Sequence, residues 1–183
     1  MFTVRHEYPG ISGNNEKAKS KFNTAIQYLK SNSELAKMLI EELEVCSKTV
    51  EVVILSGEGG NGWRGPQMLQ SNSGGMVTWY PDRQKVVGNR SAALALMHEL
   101  GHAYQFLSHK DWLETVMKGS YGKLWRPWRG DAVAERMKDP VIAAKIDDPN
   151  IELVETEVAK QLNKSNNAVE GSAAYEIIRD SYL

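Results

Sequence analysis

The stretch Met97-His98-Glu99-Leu100-Gly101-His102-Ala103-Tyr104 is the most informative part of the chain. It lies within an alanine-rich segment, from Ser91 to about Leu107, that predicts a helix with Ser91 as its N-cap. On a helix, residues four positions apart lie one turn apart on the same face. His98 and His102 can therefore offer two imidazole nitrogens to one metal ion.

Glu99 follows the first histidine, so on a helix its carboxylate points beside the metal ion rather than at it. A glutamate in this position serves as a general base, which takes a proton from the attacking water and passes it to the leaving amine. Chance produces the bare His-Glu-x-x-His pattern in roughly one such sequence per hundred, and the alternative is a pair of structural histidines. The helical context favours a catalytic Zn²⁺ site with His98 and His102 as ligands and Glu99 as catalytic residue.

A catalytic zinc ion usually has three protein ligands and an open position for water. The sequence after His102 lacks the third histidine of the metzincins, because His109 does not have the required spacing. A downstream acid on a second helix is the remaining common solution.

The segment Ile151 to Asn163 is predicted to be helical and carries three acids, Glu152, Glu155 and Glu157. Glu155 shares the apolar face formed by Val158, Ala159 and Leu162, where a carboxylate is costly to bury without a cation. Glu155 is therefore the favoured third ligand and Glu152 the next candidate, whereas Glu157 falls away from that face.

The negative charge that develops on a substrate carbonyl is often stabilised by a tyrosine hydroxyl or an arginine guanidinium. Tyr182 and Arg179, near the C-terminus, are the candidates for this role.

Composition narrows the class of protein. The chain has 183 residues, which predicts a single domain over residues 1–183, and its formal net charge is −1. It contains no block of about five like charges, so neither nucleic acid nor a membrane surface is an expected partner. It also contains no apolar run of membrane-spanning length and no signal peptide of the Sec type at its start. The single cysteine, Cys46, excludes an intrachain disulfide.

The remaining pattern predicts an α+β fold, in which a small mixed or antiparallel sheet packs against the His-Glu-x-x-His helix and additional helices. Helices are expected at about Glu16 to Lys30 and, capped by Ser33, as far as Leu43. Strands are expected at Thr49 to Leu55 and Met76 to Tyr80, with Lys85 to Gly88 as a hairpin partner. The glycine-rich segment from Ser56 to Gly65 is expected to be a flexible connection, and Asp111 to Asp148 an irregular insertion.

These features together resemble the zincin effector peptidases that bacteria inject into other cells. The resemblance rests on a Gly-Gly-x-Val-x-Trp strand, H-E-L-G-H-A-Y, E-T-E-V-A-K-Q-L-N and a closing R-x-x-Y. Such peptidases include the NleD-like type III effectors and the metallopeptidase domains fused to type VI spike proteins of the VgrG kind. The specific part of the resemblance is confined to His98–Tyr104 and Glu155–Asn163.

The resemblance implies a zincin fold and a zinc endopeptidase acting as a secreted toxin. His98, His102 and Glu155 would be the ligands, Glu99 the base, and Arg179 and Tyr182 the closing motif. It further implies a protein or peptide substrate, a secretion-machine component or fused spike protein as partner, and export by a signal-peptide-independent secretion system. Zincins commonly align the substrate along an edge strand, for which Met76 to Tyr80 is the candidate. The alternatives are an inactive binding module of zincin fold and a zinc hydrolase of cell-wall peptide amides.

Overall fold

A computed structural model describes residues 1–57, 59–65, 72–82, 90–108, 150–170 and 176. The predicted hairpin partner at Lys85 to Gly88 and the predicted insertion at Asp111 to Asp148 lie outside these ranges. The described residues form an α+β structure in which helices pack against a small mixed sheet. The general fold class predicted from the sequence is thus confirmed.

The sheet contains four strands in the described ranges: β1 (Phe2–His6), β2 (Thr49–Ile54), β3 (Gly62–Arg64) and β4 (Ser73–Trp79). Their order across the sheet is β1-β2-β4-β3. β1 and β4 both run parallel to β2, whereas β3 runs antiparallel to β4. Since parallel neighbours need a crossover connection, the chain passes through two helices between β1 and β2.

Two of the sequence predictions for this sheet were wrong, and one strand was missed. The glycine-rich segment contains β3, a strand of three residues that is too short and too glycine-rich to show alternation. The Met76–Tyr80 segment is not an edge strand, because β4 lies between β2 and β3. β1 was not predicted, since only its pairing with β2 reveals it as a strand.

The two helices between β1 and β2 are α1 (Asn14–Asn32) and α2 (Glu34–Val45). Ser33 separates them, and its hydroxyl accepts a hydrogen bond of 3.1 Å from the backbone N–H of Ala36, as the sequence predicted for an N-cap. The same hydroxyl donates to Oε1 of Gln161 over 2.8 Å. The start of α2 is therefore tied to the C-terminal helix as well as capped.

The motif helix, α3 (Ala92–Ser108), packs between the sheet and the other helices. Its predicted cap is confirmed, because the backbone N–H of Leu94 donates to the Ser91 hydroxyl over 3.1 Å. The indole N–H of Trp79, at the end of β4, donates to the carbonyl of Ala92 over 2.8 Å. The fully buried face of the helix consists of Leu94, Leu96, Met97, Leu100 and Ala103.

The C-terminal helix predicted from Ile151 begins with a π-helical turn, Ile151–Glu155, and continues as α4 (Thr156–Ser165). In the π turn the backbone N–H of Thr156 donates to the carbonyl of Ile151, five residues earlier. Val158, Ala159 and Leu162 of α4 are buried in the core, as their helical spacing predicted. None of the helices in the described ranges combines the length and apolar character needed to cross a membrane.

Replacing Ser33 by alanine is expected to lower the free energy of unfolding by about 1–2 kcal/mol, because the cap of α2 and the bond to Gln161 are both lost. Urea unfolding measures this change. Ser31→Ala, at an exposed position near the end of α1, is the matched control and should change the stability much less. Equal losses in the two variants would contradict the capping role.

Candidate metal centre

His98 and His102, the two histidines of the His-Glu-x-x-His pattern, bring two imidazole rings together on one face of α3. The rings of His98 and His102 lie 4.8 Å apart between centroids and almost perpendicular to each other, at 88°. Their Nε2 atoms are separated by 3.2 Å. Both histidines are buried, with exposures of 7% and 8%, and Glu99 is 6% exposed. One donor atom from each of these three residues lies within 4.8 Å of the others.

The other nitrogen of each ring faces an oxygen. Nδ1 of His98 lies 2.7 Å from Oε2 of Glu155, and Nδ1 of His102 lies 3.2 Å from Oε1 of Gln105. An ionised carboxylate and an amide oxygen accept hydrogen bonds, so these two contacts favour the tautomer in which each Nδ1 carries the proton. Nδ2 of Asn150 also lies 3.4 Å from Nδ1 of His98. In that neutral tautomer each Nε2 has a lone pair that a metal ion can accept.

Two lone pairs that face each other across 3.2 Å repel, unless a proton or a cation lies between them. A tetrahedral zinc ion with Zn–N distances of about 2.0–2.1 Å holds two nitrogens about 3.3–3.4 Å apart. The separation of the two Nε2 atoms therefore fits a zinc ion, and the pattern of proton donors leaves both nitrogens able to bind it. Among the described histidine, cysteine and acidic residues, His98, Glu99 and His102 form the group whose possible ligand atoms lie within 4.8 Å of one another.

Glu155, the predicted third ligand, lies on the opposite side of the His98 ring. Its side chain is completely buried, which agrees with its position on the apolar face. Oε2 contacts Nδ1 of His98, and Oε1 lies 3.2 Å from Nε of Arg90. The structure thus brings Glu155 to the ring of His98, but not into the group formed by His98, Glu99 and His102.

The other residues that the sequence suggested as ligands or catalytic groups make no described contact with the histidine pair or lie outside the described ranges. The carboxylate of Glu157 is 46% exposed and pairs with Lys160 over 3.5 Å, as expected for a residue that falls away from the apolar face. Glu152 belongs to the π turn by its backbone. Arg179 and Tyr182 lie outside the described residues, so their roles remain predictions.

Asn150 is a site residue that the sequence did not indicate. It is completely buried, and its Nδ2 donates to the carbonyl oxygen of His98 over 2.8 Å. A methyl group on Gly101 would collide with Oδ1 of Asn150, far inside van der Waals contact. A glycine inside a helix costs about 1 kcal/mol relative to alanine, and at this position it lets Asn150 approach the helix. The presence of a helix-destabilising glycine at position 101 was the one feature of the sequence that indicated a close neighbour at this point of the helix.

Trp63, on β3, is a second residue that sequence reasoning missed. Its ring stacks on the imidazole of His102, with 6.2 Å between centroids and 27° between planes. Its indole N–H donates to the carbonyl of Gly74 over 3.3 Å. The next residue, Gly75, has a positive φ of 97°, and a Cβ there would lie 2.5 Å from Nε1 of Trp63. Glycine at position 75 therefore lets β3 lie close to β4 and holds Trp63 beside the histidine pair.

The close approach of Asn150 predicts an unusual result for Gly101→Ala. In an open helix this change stabilises by about 1 kcal/mol, but here overpacking should destabilise the protein by about 1–3 kcal/mol in urea unfolding. The change is expected to become neutral or stabilising in an Asn150→Ala background, where the colliding amide is absent. Stabilisation of the wild-type protein by Gly101→Ala would contradict the contact.

Comparison with models of protein families, with curated proteins and with solved structures gives no match. The likeness to zincin effectors therefore rests on the sequence motifs described above.

Proposed function

We propose that the chain is a zinc-dependent endopeptidase of zincin type. The observation that carries this proposal is the pair of Nε2 atoms, 3.2 Å apart, whose rings both place Nδ1 against an oxygen atom. His98 and His102 would hold the zinc ion. When bound, zinc polarises the carbonyl of a peptide bond and lowers the pKa of water.

Glu99 is the proposed general base. It follows His98 directly, and its carboxylate belongs to the same buried group of donors. It would accept a proton from the attacking water and deliver it to the amine nitrogen of the leaving group. The buried setting strengthens these electrostatic interactions, because little water competes for the carboxylate. Arg179 and Tyr182 are proposed to stabilise the charge on the carbonyl oxygen.

The edge strand β3 is proposed to bind the substrate backbone, in place of the segment expected from the sequence. β3 is the last strand of the described sheet on the side of the site, and its Trp63 ring contacts His102. A peptide that pairs with this strand would gain backbone hydrogen bonds that do not depend on its sequence. Trp63 would supply an apolar wall next to the bond that is cut.

The biological setting proposed is that of a bacterial effector, delivered without a signal peptide and toxic to the recipient cell. This part follows from the sequence resemblance to injected zincin peptidases. Its partners would be a protein or peptide substrate and a secretion-machine component or fused spike protein.

Glu99→Gln tests the catalytic assignment, because it keeps the size of the side chain and removes the base. We expect hydrolysis of an unfolded protein such as casein to fall by about 10²–10⁴-fold, with zinc content measured by mass spectrometry unchanged. His102→Ala is the comparison variant and should lose zinc as well as activity. Full activity of Glu99→Gln would refute the peptidase proposal.

Zinc is also expected to stabilise the folded chain. At a free zinc concentration 100 times the Kd, the chelator-treated protein should gain about 2.7 kcal/mol in unfolding free energy, because the ion binds the folded state. The double variant with His98→Ala and His102→Ala should gain nothing, and Mg²⁺ should not replace zinc. The absence of any gain in the wild-type protein would favour a binding module without metal.

A further inference from the structure

We infer that Glu155 is a positioning residue, which orients His98 for metal binding, and that it is not the third metal ligand. The inference rests on the proposed metal site and assigns a different role to the acid that the sequence singled out. It is carried by the contacts of the two carboxylate oxygens and by the turn that presents them.

The first argument is the direction in which the carboxylate points. Oε2 of Glu155 lies 2.7 Å from Nδ1 of His98, whereas Nε2 of the same ring faces His102. The lone-pair directions of the two ring nitrogens diverge in the ring plane, so an oxygen hydrogen-bonded to Nδ1 lies away from an ion bound at Nε2. In this arrangement Glu155 cannot reach that ion.

The second argument concerns the other oxygen. Oε1 lies 3.2 Å from Nε of Arg90, just before α3, and the carboxylate itself is fully buried. Burial of an ionised carboxylate is costly unless charged or proton-donating groups compensate it. Arg90 and the Nδ1–H of His98 supply this compensation without a metal ion. The sequence predicted a metal ion near Glu155 because a carboxylate on an apolar face needs compensation. Arg90 and His98 already provide that compensation.

The third argument is the backbone that carries Glu155. The π turn Ile151–Glu155 lies between Asn150 and α4, and such turns occur frequently at functional sites. Asn150 donates to the carbonyl of His98, and Glu155 contacts the ring of the same residue. Asn150, just before the π turn, and Glu155, its last residue, thus meet the backbone and the side chain of His98, which is the arrangement expected of a support for a metal ligand.

A carboxylate that accepts the Nδ1 proton of a metal-bound histidine fixes the tautomer and the ring orientation, and makes Nε2 a stronger donor. Loss of such a partner typically weakens metal binding 10–100-fold. Among the described histidines, cysteines and acids, the group that could hold a metal ion is His98, Glu99 and His102, and Glu155 does not belong to it.

The test is the zinc affinity of Glu155→Gln, measured by competition with a chelator, together with the visible spectrum of the Co²⁺-loaded protein. We expect the affinity for zinc to fall about 10–100-fold, while the Co²⁺ bands keep their positions and intensity because no ligand is lost. His102→Ala should lose far more affinity and change the bands. Glu157→Gln, two residues along the chain and half exposed, is the matched control and should behave as wild type.

Three results would overturn the inference. An affinity loss in Glu155→Gln as large as that of His102→Ala, with altered Co²⁺ bands, would make Glu155 a ligand. Unchanged affinity would deny it any role. A wild-type protein that binds neither Zn²⁺ nor Co²⁺ would refute the proposed function itself, which distinguishes that failure from the first two.

Arg90→Gln provides a second variant if Glu155→Gln does not fold, as judged by circular dichroism. It leaves the carboxylate in place but removes its cationic partner. Its zinc affinity should fall several-fold with unchanged Co²⁺ bands. An affinity equal to that of the wild type would contradict the proposal that Arg90 and Glu155 together orient His98.

Discussion

The contact on which the site depends is the approach of two imidazole Nε2 atoms to 3.2 Å inside a buried face of α3. Both Nδ1 atoms face oxygen acceptors, and in the neutral tautomer that donates to those oxygens each Nε2 carries a lone pair. The repulsion between two lone pairs at this distance is relieved either by a cation between them or by a change of tautomer in one ring. Glu155 and Gln105 favour the tautomer that leaves Nε2 to a cation, which is the basis of the proposed metal site.

Each neighbour of this pair comes from a different part of the chain. Gln105 is on the same helix, Glu155 belongs to the π turn, and Trp63 lies on β3, the outermost strand among the described residues. The core beneath α3 keeps these elements together, since its inward face is fully buried against the sheet and the other helices. The precision of the site therefore depends on the packing of the whole fold, and the helix alone would leave both rings free to rotate.

Two glycines allow this convergence, for different reasons. Gly101 has no side chain because Asn150 occupies the space beside the helix, where it bonds the backbone of His98. Gly75 has a positive φ, and its lack of a Cβ lets the edge strand carry Trp63 to His102. A side chain at either position would push a supporting element away from the histidines. The two glycines thus contribute to this site by leaving space for Asn150 and Trp63.

The sequence by itself determined the elements whose causes are local. Helical periodicity places His98 and His102 one turn apart and Glu155 on a buried face, and hydroxyl caps begin α2 and α3 at Ser33 and Ser91. Gln105, three residues after His102, was within reach of the same reasoning and was overlooked.

Only the tertiary structure decided the rest. The side of the His98 ring that Glu155 meets, the approach of Asn150 and the strand that carries Trp63 all join residues that are more than 35 positions apart in the sequence. No local pattern encodes such contacts, because they depend on how separate elements pack. The same helical spacing in the sequence is compatible with a buried carboxylate that binds a metal ion and with one that supports a metal ligand. The orientation of the carboxylate in the packed core distinguishes these two roles.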